Sequence, residues 1–242
     1  MTVFKDQVAV VTGASSGIGK AIAFELAARG AMLCLVGRKL ETLKAIAKSV
    51  QATVPRVLSY QVDLTVEEDI QKLKARLKQD FGQVDLLVHS AGVISLGQLK
   101  TAPIEDFDWQ YRTNVRAPYI LTQILLPLLI PRRGQIVFIN SSAGLSAKAG
   151  RGQYAATKHA LKAIADSLRA EVNADGVRVL SVFPGRTASP MQAAVHEMEG
   201  KAYDPDHLVQ PPDVAAVVLN ALSLPRTAEV TDICIRPLVK SN

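Results

Sequence analysis

Two cysteines in a chain of 242 residues, Cys34 and Cys234, form no CxxC pair and stand beside no clustered histidines. That scarcity excludes a disulfide framework and a structural zinc site, and a reducing cytoplasmic compartment is the expected location. Aromatic residues make up only 5% with a single tryptophan, so the stacking platforms that single-stranded nucleic acid requires are missing. No Lys/Arg run is present either. The 28 basic and 22 acidic side chains leave +6, spread along the chain, a balance that favours a small anionic ligand and not nucleic acid. The most apolar stretch, Ala117 to Ile130, is interrupted by Pro118, Thr122, Gln123 and Pro127. It is too short to span a bilayer and reads as a core or subunit-interface helix. Residues 1–6 lack the apolar run of a signal peptide and the Arg/Ser-rich look of a transit peptide.

What remains is ordinary globular composition, 48% hydrophobic and 21% charged, in a chain long enough to bury one core without staples. Its organisation alternates. Gln7 to Thr12 is a short β-branched run, followed by glycines and then by AIAFELAARG, apolar at helical spacing and ending at Gly30. Strands are expected at Ala31–Val36, Arg56–Val62, Asp85–Val88, Gln135–Ile139, Val177–Phe183 and Val230–Ile235. Helices are expected at Lys39–Ala52, Val66–Phe81, Pro103–Leu129, Gln153–Asn173 and Asp213–Leu222. Short apolar strands alternating with helices predict an α/β, Rossmann-like, doubly wound, seven-stranded parallel sheet with helices on both faces. An eight-fold barrel needs eight such units. No linker-like tract or internal repeat interrupts residues 1–242, so one domain is expected.

The first strand runs into Thr12-Gly-Ala-Ser-Ser-Gly-Ile-Gly19, which admits three readings. A phosphate loop fails because Ala14 holds the first-glycine position and Ala21 the position of the metal-binding hydroxyl. A nucleophile elbow, matched literally by Gly13-Ala-Ser15-Ser-Gly17, needs preceding strands and a later acid and His; the late histidines, His196 and His207, lie in a polar, loop-like stretch. Dinucleotide binding fits. Glycines after a first strand allow positive φ and close approach of a pyrophosphate, and the following helix N-terminus adds partial positive charge. The cofactor contacts expected from this turn are Gly13, Ser15, Ser16, Gly17, Ile18 and Gly19.

With TGASSGIG at 12–19, Asp63-Leu64, SAG at 90–92, Asn114, Ser141, Tyr154-x-x-x-Lys158 and PGRTASPM at 184–191, the chain resembles the short-chain dehydrogenase/reductase family in its classical form, over nearly its whole length. Some of the chemistry is readable from the residues themselves. Tyr154 and Lys158, four apart on an expected helix, share a face, and a nearby ammonium is expected to lower the phenol's pKa toward general acid–base use. Ser141 emerges from the strand QIVFI at the carboxyl end, where open α/β sheets bind ligands, and its hydroxyl suits a substrate carbonyl oxygen. The rest is what the resemblance implies. It selects Ser141 over Ser142, gives Lys158 the nicotinamide ribose, and makes Asn114 the anchor of a water-mediated proton relay. It places Asp63 on the adenine amine, where helix capping is the alternative, with Leu64 contributing backbone contacts. It puts Ser90, Ala91, Gly92, Pro184 and Gly185 along the cofactor, and Thr187 and Ser189 on its carboxamide. His89 and Ser90 stand where the family has paired Asn, which leaves the hydrogen bonding at that strand end unassigned.

Cofactor choice turns on the end of the second strand, where NAD-selective sites place an acidic residue on the ribose 2′-OH. Here Gly37 and Arg38 offer no carboxylate and one guanidinium, so NADP(H) is expected. Residues 186–210 are expected to form a lid over the substrate. The activity implied is reduction of a carbonyl to a secondary alcohol, or the reverse, on a small molecule, in a homodimer or homotetramer. Alternatives are a 3-oxoacyl-thioester reductase, against which the ending VTDICIRPLVKSN argues by its lack of glycines, and a non-catalytic dinucleotide-binding regulator, which has no need of Ser141, Tyr154 and Lys158. No metal is expected.

Overall fold

The β-branched run after Gln7 forms β1 (Val8–Thr12), buried throughout. Its side chains divide between two cores. Ala9 and Val11 pack into one hydrophobic cluster and Val8 and Val10 into the other, which is the alternation a strand covered on both faces must show. The computed structural model describes residues 3–239. After β1 come α1 (Gly17–Ala28), β2 (Met32–Gly37), α2 (Leu40–Val50), β3 (Val57–Gln61), α3 (Glu67–Asp80) and β4 (Leu86–His89). The second half holds α4 (Ile104–Tyr111), α5 (Ala117–Leu129), β5 (Gln135–Ile139), α6 (Gly152–Val172), β6 (Arg178–Pro184), α7 (Pro190–Met198), α8 (Pro211–Leu222) and β7 (Asp232–Ile235). All strand pairs are parallel, in the order β3-β2-β1-β4-β5-β6-β7. The expected doubly wound, seven-stranded parallel sheet is therefore the observed one.

Helices α1, α2 and α8 cover one face through Ile22, Leu26, Leu43 and Val218. Helices α3, α5 and α6 cover the other through Leu73, Leu125 and Leu161. The strand order reverses between β1, whose neighbours are β2 and β4, and this is the place where an open α/β sheet leaves a crevice at its carboxyl edge.

Two stretches depart from expectation. The helical region from Pro103 to Leu129 is not uniform: a π-helical turn, Arg112–Arg116, joins α4 to α5 and carries Asn114. Residues 186–210, read as polar loop, contain α7. Ser189 caps it by accepting from the Gln192 amide at 3.1 Å, and Pro190 occupies its first turn. That Ser-Pro start is an N-terminal helix signal, but polar flanking residues mask the apolar face behind it.

The doubt over His89 resolves in the core. Its imidazole stacks on Phe138 with ring centroids 4.8 Å apart, and Nε2 lies 2.8 Å from Thr122 Oγ1. Burial holds its pKa down at about 3. The unfolded chain takes up this proton below about pH 6.5 whereas the fold refuses it, so the stability contributed by neutral His89 is complete above that pH and lost as pH falls toward 3. From pH 7.5 to 5.0, wild-type protein is expected to lose about 2 kcal/mol more stability than His89→Asn, read from urea midpoints. Equal losses would contradict the assignment.

Candidate active site

Side chains and backbone from the carboxyl ends of β1, β2, β4, β5 and β6, and from α6, line one cavity of about 340 Å³. At its floor Gly13 turns with φ +64° and Gly17 with φ +53°. A Cβ at Gly13 would stand 2.7 Å from the Ala91 amide nitrogen, so only glycine lets the β1 turn lie against the end of β4. Thr12, which the sequence reading did not single out, ties the two turns together: its Oγ1 accepts from the Ser90 and Ala91 amides at 3.1 and 3.2 Å. Helix α1 begins there with no acidic residue in its first turn and no side chain capping it. Its first amides and its dipole thus face the cavity uncompensated, which suits an anion.

Gly13, Ser15, Ser16, Gly17 and Ile18 all line the cavity, as do Arg38, Asp63, Leu64, Ser90, Ala91, Gly92, Pro184, Gly185, Thr187 and Ser189. Gly19 does not. It is buried behind the turn, where a Cβ would approach the Gly13 carbonyl oxygen to 2.6 Å, so its role is packing. Asp63 Oδ1 accepts from the Thr65 amide at 2.9 Å and the Thr65 hydroxyl at 2.7 Å. These bonds, with the nearby Arg38 guanidinium, hold the carboxyl below its ordinary range. Asp63 does not cap α3, whose N-cap is Val66. The Thr187 hydroxyl donates to the Gly185 carbonyl at 3.1 Å, and the Ser189 hydroxyl is occupied in capping α7.

Ser141, Tyr154 and Lys158 come together on the opposite wall. Ser141 follows β5 and its Oγ accepts from the Ala143 amide at 3.1 Å, shaping a tight turn that ends at Gly144. A Cβ on Gly144 would meet Asn140 Oδ1 at 2.6 Å and the Lys158 carbonyl oxygen at 2.9 Å, so glycine seats this turn on α6. Lys158 Nζ donates to the Ile139 carbonyl at 3.1 Å and lies 5.8 Å from the Tyr154 ring centroid. The expected lowering of the Tyr154 pKa does not appear in this arrangement. Burial pushes the phenol up, and what opposes it is the Ser141 hydroxyl and the Arg151 guanidinium. Burial also brings the Lys158 ammonium down to about 8, so both groups are displaced toward their neutral forms.

Asn114 sits behind the cavity wall and does not line it. Its Oδ1 accepts from the Val93 amide at 2.9 Å, and its Nδ2 donates to the Val93 carbonyl at 2.9 Å and to Thr157 Oγ1 at 3.1 Å. The side chain therefore pins the segment after β4 against α6. Sequence reasoning also missed Asn140, Arg151 and Arg186, all of which line the cavity. Asn140, next to Ser141 at a strand end, carried a positional signal. Arg186 stood inside PGRTASPM without a role attached to it, and Arg151 carried no signal, since an isolated charge resembles solvated surface.

Comparison with known proteins adds to this geometry. A family model described as short chain dehydrogenase matches residues 7–200. An uncharacterized oxidoreductase of Staphylococcus aureus is 32% identical over 239 residues, 98% of this chain and 100% of that protein. One of Staphylococcus epidermidis is 34% identical over the same share of each. Among solved structures, an alcohol dehydrogenase from the archaeon Thermococcus sibiricus complexed with 5-hydroxy-NADP aligns with a TM-score of 0.89 at 27% identity, covering 98% of each chain. A metagenomic short-chain oxidoreductase in complex with NADP aligns at 0.83 with 30% identity, covering 98% of this chain and 100% of that one.

The buried Lys158 carries a pH signature. Its folded pKa of about 8 lies below the 10.5 of a free lysine, so between those values the unfolded chain holds more protons and stability rises with pH. Lys158→Met is expected to be more stable than wild type at pH 7.5, with the gap closing by about 2 kcal/mol at pH 9.5, measured by urea unfolding. A gap independent of pH would place the Lys158 charge outside this account.

Proposed function

The chain belongs to the short-chain dehydrogenase family, and on that premise we propose that this oxidoreductase uses NADP(H) to interconvert a carbonyl and a secondary alcohol. The observation that carries the proposal is the convergence of Ser141, Tyr154 and Lys158 on the cavity whose floor is the glycine turn. The residues fit a dinucleotide. The turn presents uncapped amides at the start of α1, and a Cβ at Gly13 would fill the space between the two turns. When bound, the cofactor supplies or accepts a hydride.

The chain's own groups do the remaining work. Ser141 and Tyr154 hydroxyls hydrogen-bond the substrate oxygen, and Tyr154 gives its phenolic proton to that oxygen in reduction or takes it back in oxidation. Lys158 secures the nicotinamide ribose, and the Ser141 hydroxyl favours the phenolate that forms. Asn114 keeps Val93 and Thr157 in place behind these groups and anchors a water-mediated proton relay. Arg38, exposed after Gly37 and without a salt bridge among the described residues, takes the 2′-phosphate. The segment 186–210, with α7 inside it, is the lid, and the active species is a homodimer or homotetramer.

Two measurements test this. Tyr154→Phe is expected to lower turnover at least about a hundredfold with NADPH binding retained, in an NADPH-consumption screen over ketones, β-keto esters, 3-oxoacyl thioesters and quinones. Turnover like that of wild type would defeat the mechanism. For cofactor choice, kcat/KM at fixed ionic strength is expected to favour NADPH at least about tenfold, with the preference shrinking in Arg38→Ala. Equal values, or a preference for NADH, would overturn the role given to Arg38.

A further inference from the structure

Two arginines in the cavity wall have no part in the scheme above: Arg151, at the N-cap of α6, and Arg186, just after β6. Both reach the same carboxylate. Arg186 Nη2 donates to Glu199 Oε2 at 2.6 Å, and Arg151 Nη2 donates to Glu199 Oε1. The buried His196 adjoins this cluster: its Nδ1 lies 2.8 Å from the Gln192 carbonyl oxygen and 3.1 Å from Gln192 Nε2, and its Nε2 lies 3.2 Å from Arg186 Nη1. Burial pushes the Glu199 carboxyl up, but the two guanidiniums outweigh it and hold the group ionised. Two positive charges against one negative leave the wall with one cation uncompensated within the cluster.

The location of that cation is informative. The Arg151 and Arg186 side chains are only 26% and 23% exposed, so little solvent screens them. Among the described contacts, the Arg151 side chain donates only to Glu199, which leaves most of its five N–H groups for another acceptor. Its charge acts on the Tyr154 phenol, so an anion held there lies beside the reacting carbonyl. Ile94, Met191 and Val195 give the same cavity apolar lining.

We infer that Arg151 and Arg186 form a subsite for a carboxylate carried by the substrate, so that oxo acids and hydroxy acids are preferred over neutral ketones and alcohols. The inference rests on the oxidoreductase reading of the Tyr154 site and names its substrate class. Glu199 then sets the charge: it holds the two guanidiniums in place and leaves a single positive charge for the incoming acid. A contrasting role for the same contacts is a clasp that merely ties the segment after α7 to α6.

Neutralising the charge on either side of the contact separates the two. The probes are butyrate and butyramide, titrated calorimetrically into NADP+-saturated wild type, Arg151→Gln and Glu199→Gln. Wild type is expected to bind butyrate at least about tenfold more tightly than butyramide, the size of one charge-assisted contact. Arg151→Gln is expected to erase that preference, and Glu199→Gln, which frees both guanidiniums, to enlarge it. A clasp predicts instead that both substitutions weaken both ligands, and that result, or equal binding of the pair by wild type, overturns the subsite. In turnover, the ratio of kcat/KM for acetoacetate over methyl acetoacetate is expected to exceed about ten and to fall in Arg151→Gln. Turnover of the ester without preference for the acid overturns the subsite and leaves the oxidoreductase scheme standing. The expected butyrate binding without turnover of any carbonyl defeats the scheme and supports the subsite.

Discussion

At the carboxyl ends of β1 and β4, two turns pass at a separation that only glycine permits, and the rest of the cavity is arranged around that contact. Gly13 lies against Ala91, Gly19 against the Gly13 carbonyl, and Thr12 accepts two amides from the far turn. A side chain at either glycine would push the first helix away from the sheet. The contact falls where the strand order reverses, so the same compression that joins the halves of the sheet also aims the first amides of α1 into the crevice.

The opposite wall is built with less favourable materials. Several buried polar groups behind the cavity are matched: His89 finds Thr122, Asn114 finds Val93 and Thr157, and Gln110 accepts from Ser95 and donates to Gln153, whereas Ser59 Oγ, Ser181 Oγ and Arg178 Nε, away from the cavity, are buried without a partner. At the cavity, burial works against the charged form of Lys158 and against the phenolate of Tyr154, and Asn140 Oδ1 is buried without a hydrogen-bond partner. Groups held away from their preferred states in one place are expected where chemistry is done, and the surrounding core sustains the cost. Gly144 makes the arrangement possible by letting the Ser141 turn rest on the Lys158 backbone.

Much of this was legible in the sequence because the relevant signals are local. Strand runs such as QIVFI, the turn TGASSGIG and the four-residue spacing of Tyr154 and Lys158 each constrain their own neighbourhood, and the order of elements then fixes the parallel sheet. What escaped depends on contacts distant in sequence. The π-helical turn around Asn114 leaves no trace in apolar spacing. The raised pKa of Tyr154 follows from enclosure by several elements, opposed by Ser141 and Arg151 and not by the lysine one helical turn away. Arg151 and Glu199 lie 48 positions apart, and only the fold brings them to one carboxylate–guanidinium contact. Helix α7 was hidden by its polar surroundings although Ser189 and Pro190 announce its start.

The central claim is that the cavity passes a hydride between a nicotinamide cofactor and a carbonyl carbon while Tyr154 handles the proton. NADPH deuterated at the nicotinamide C4, turned over with a reducible carbonyl compound, tests it by mass spectrometry of the product. The account predicts one deuterium on the carbinol carbon, with the hydroxyl proton drawn from solvent. Tight NADPH binding with no deuterium delivered to any carbonyl in a broad panel would contradict it.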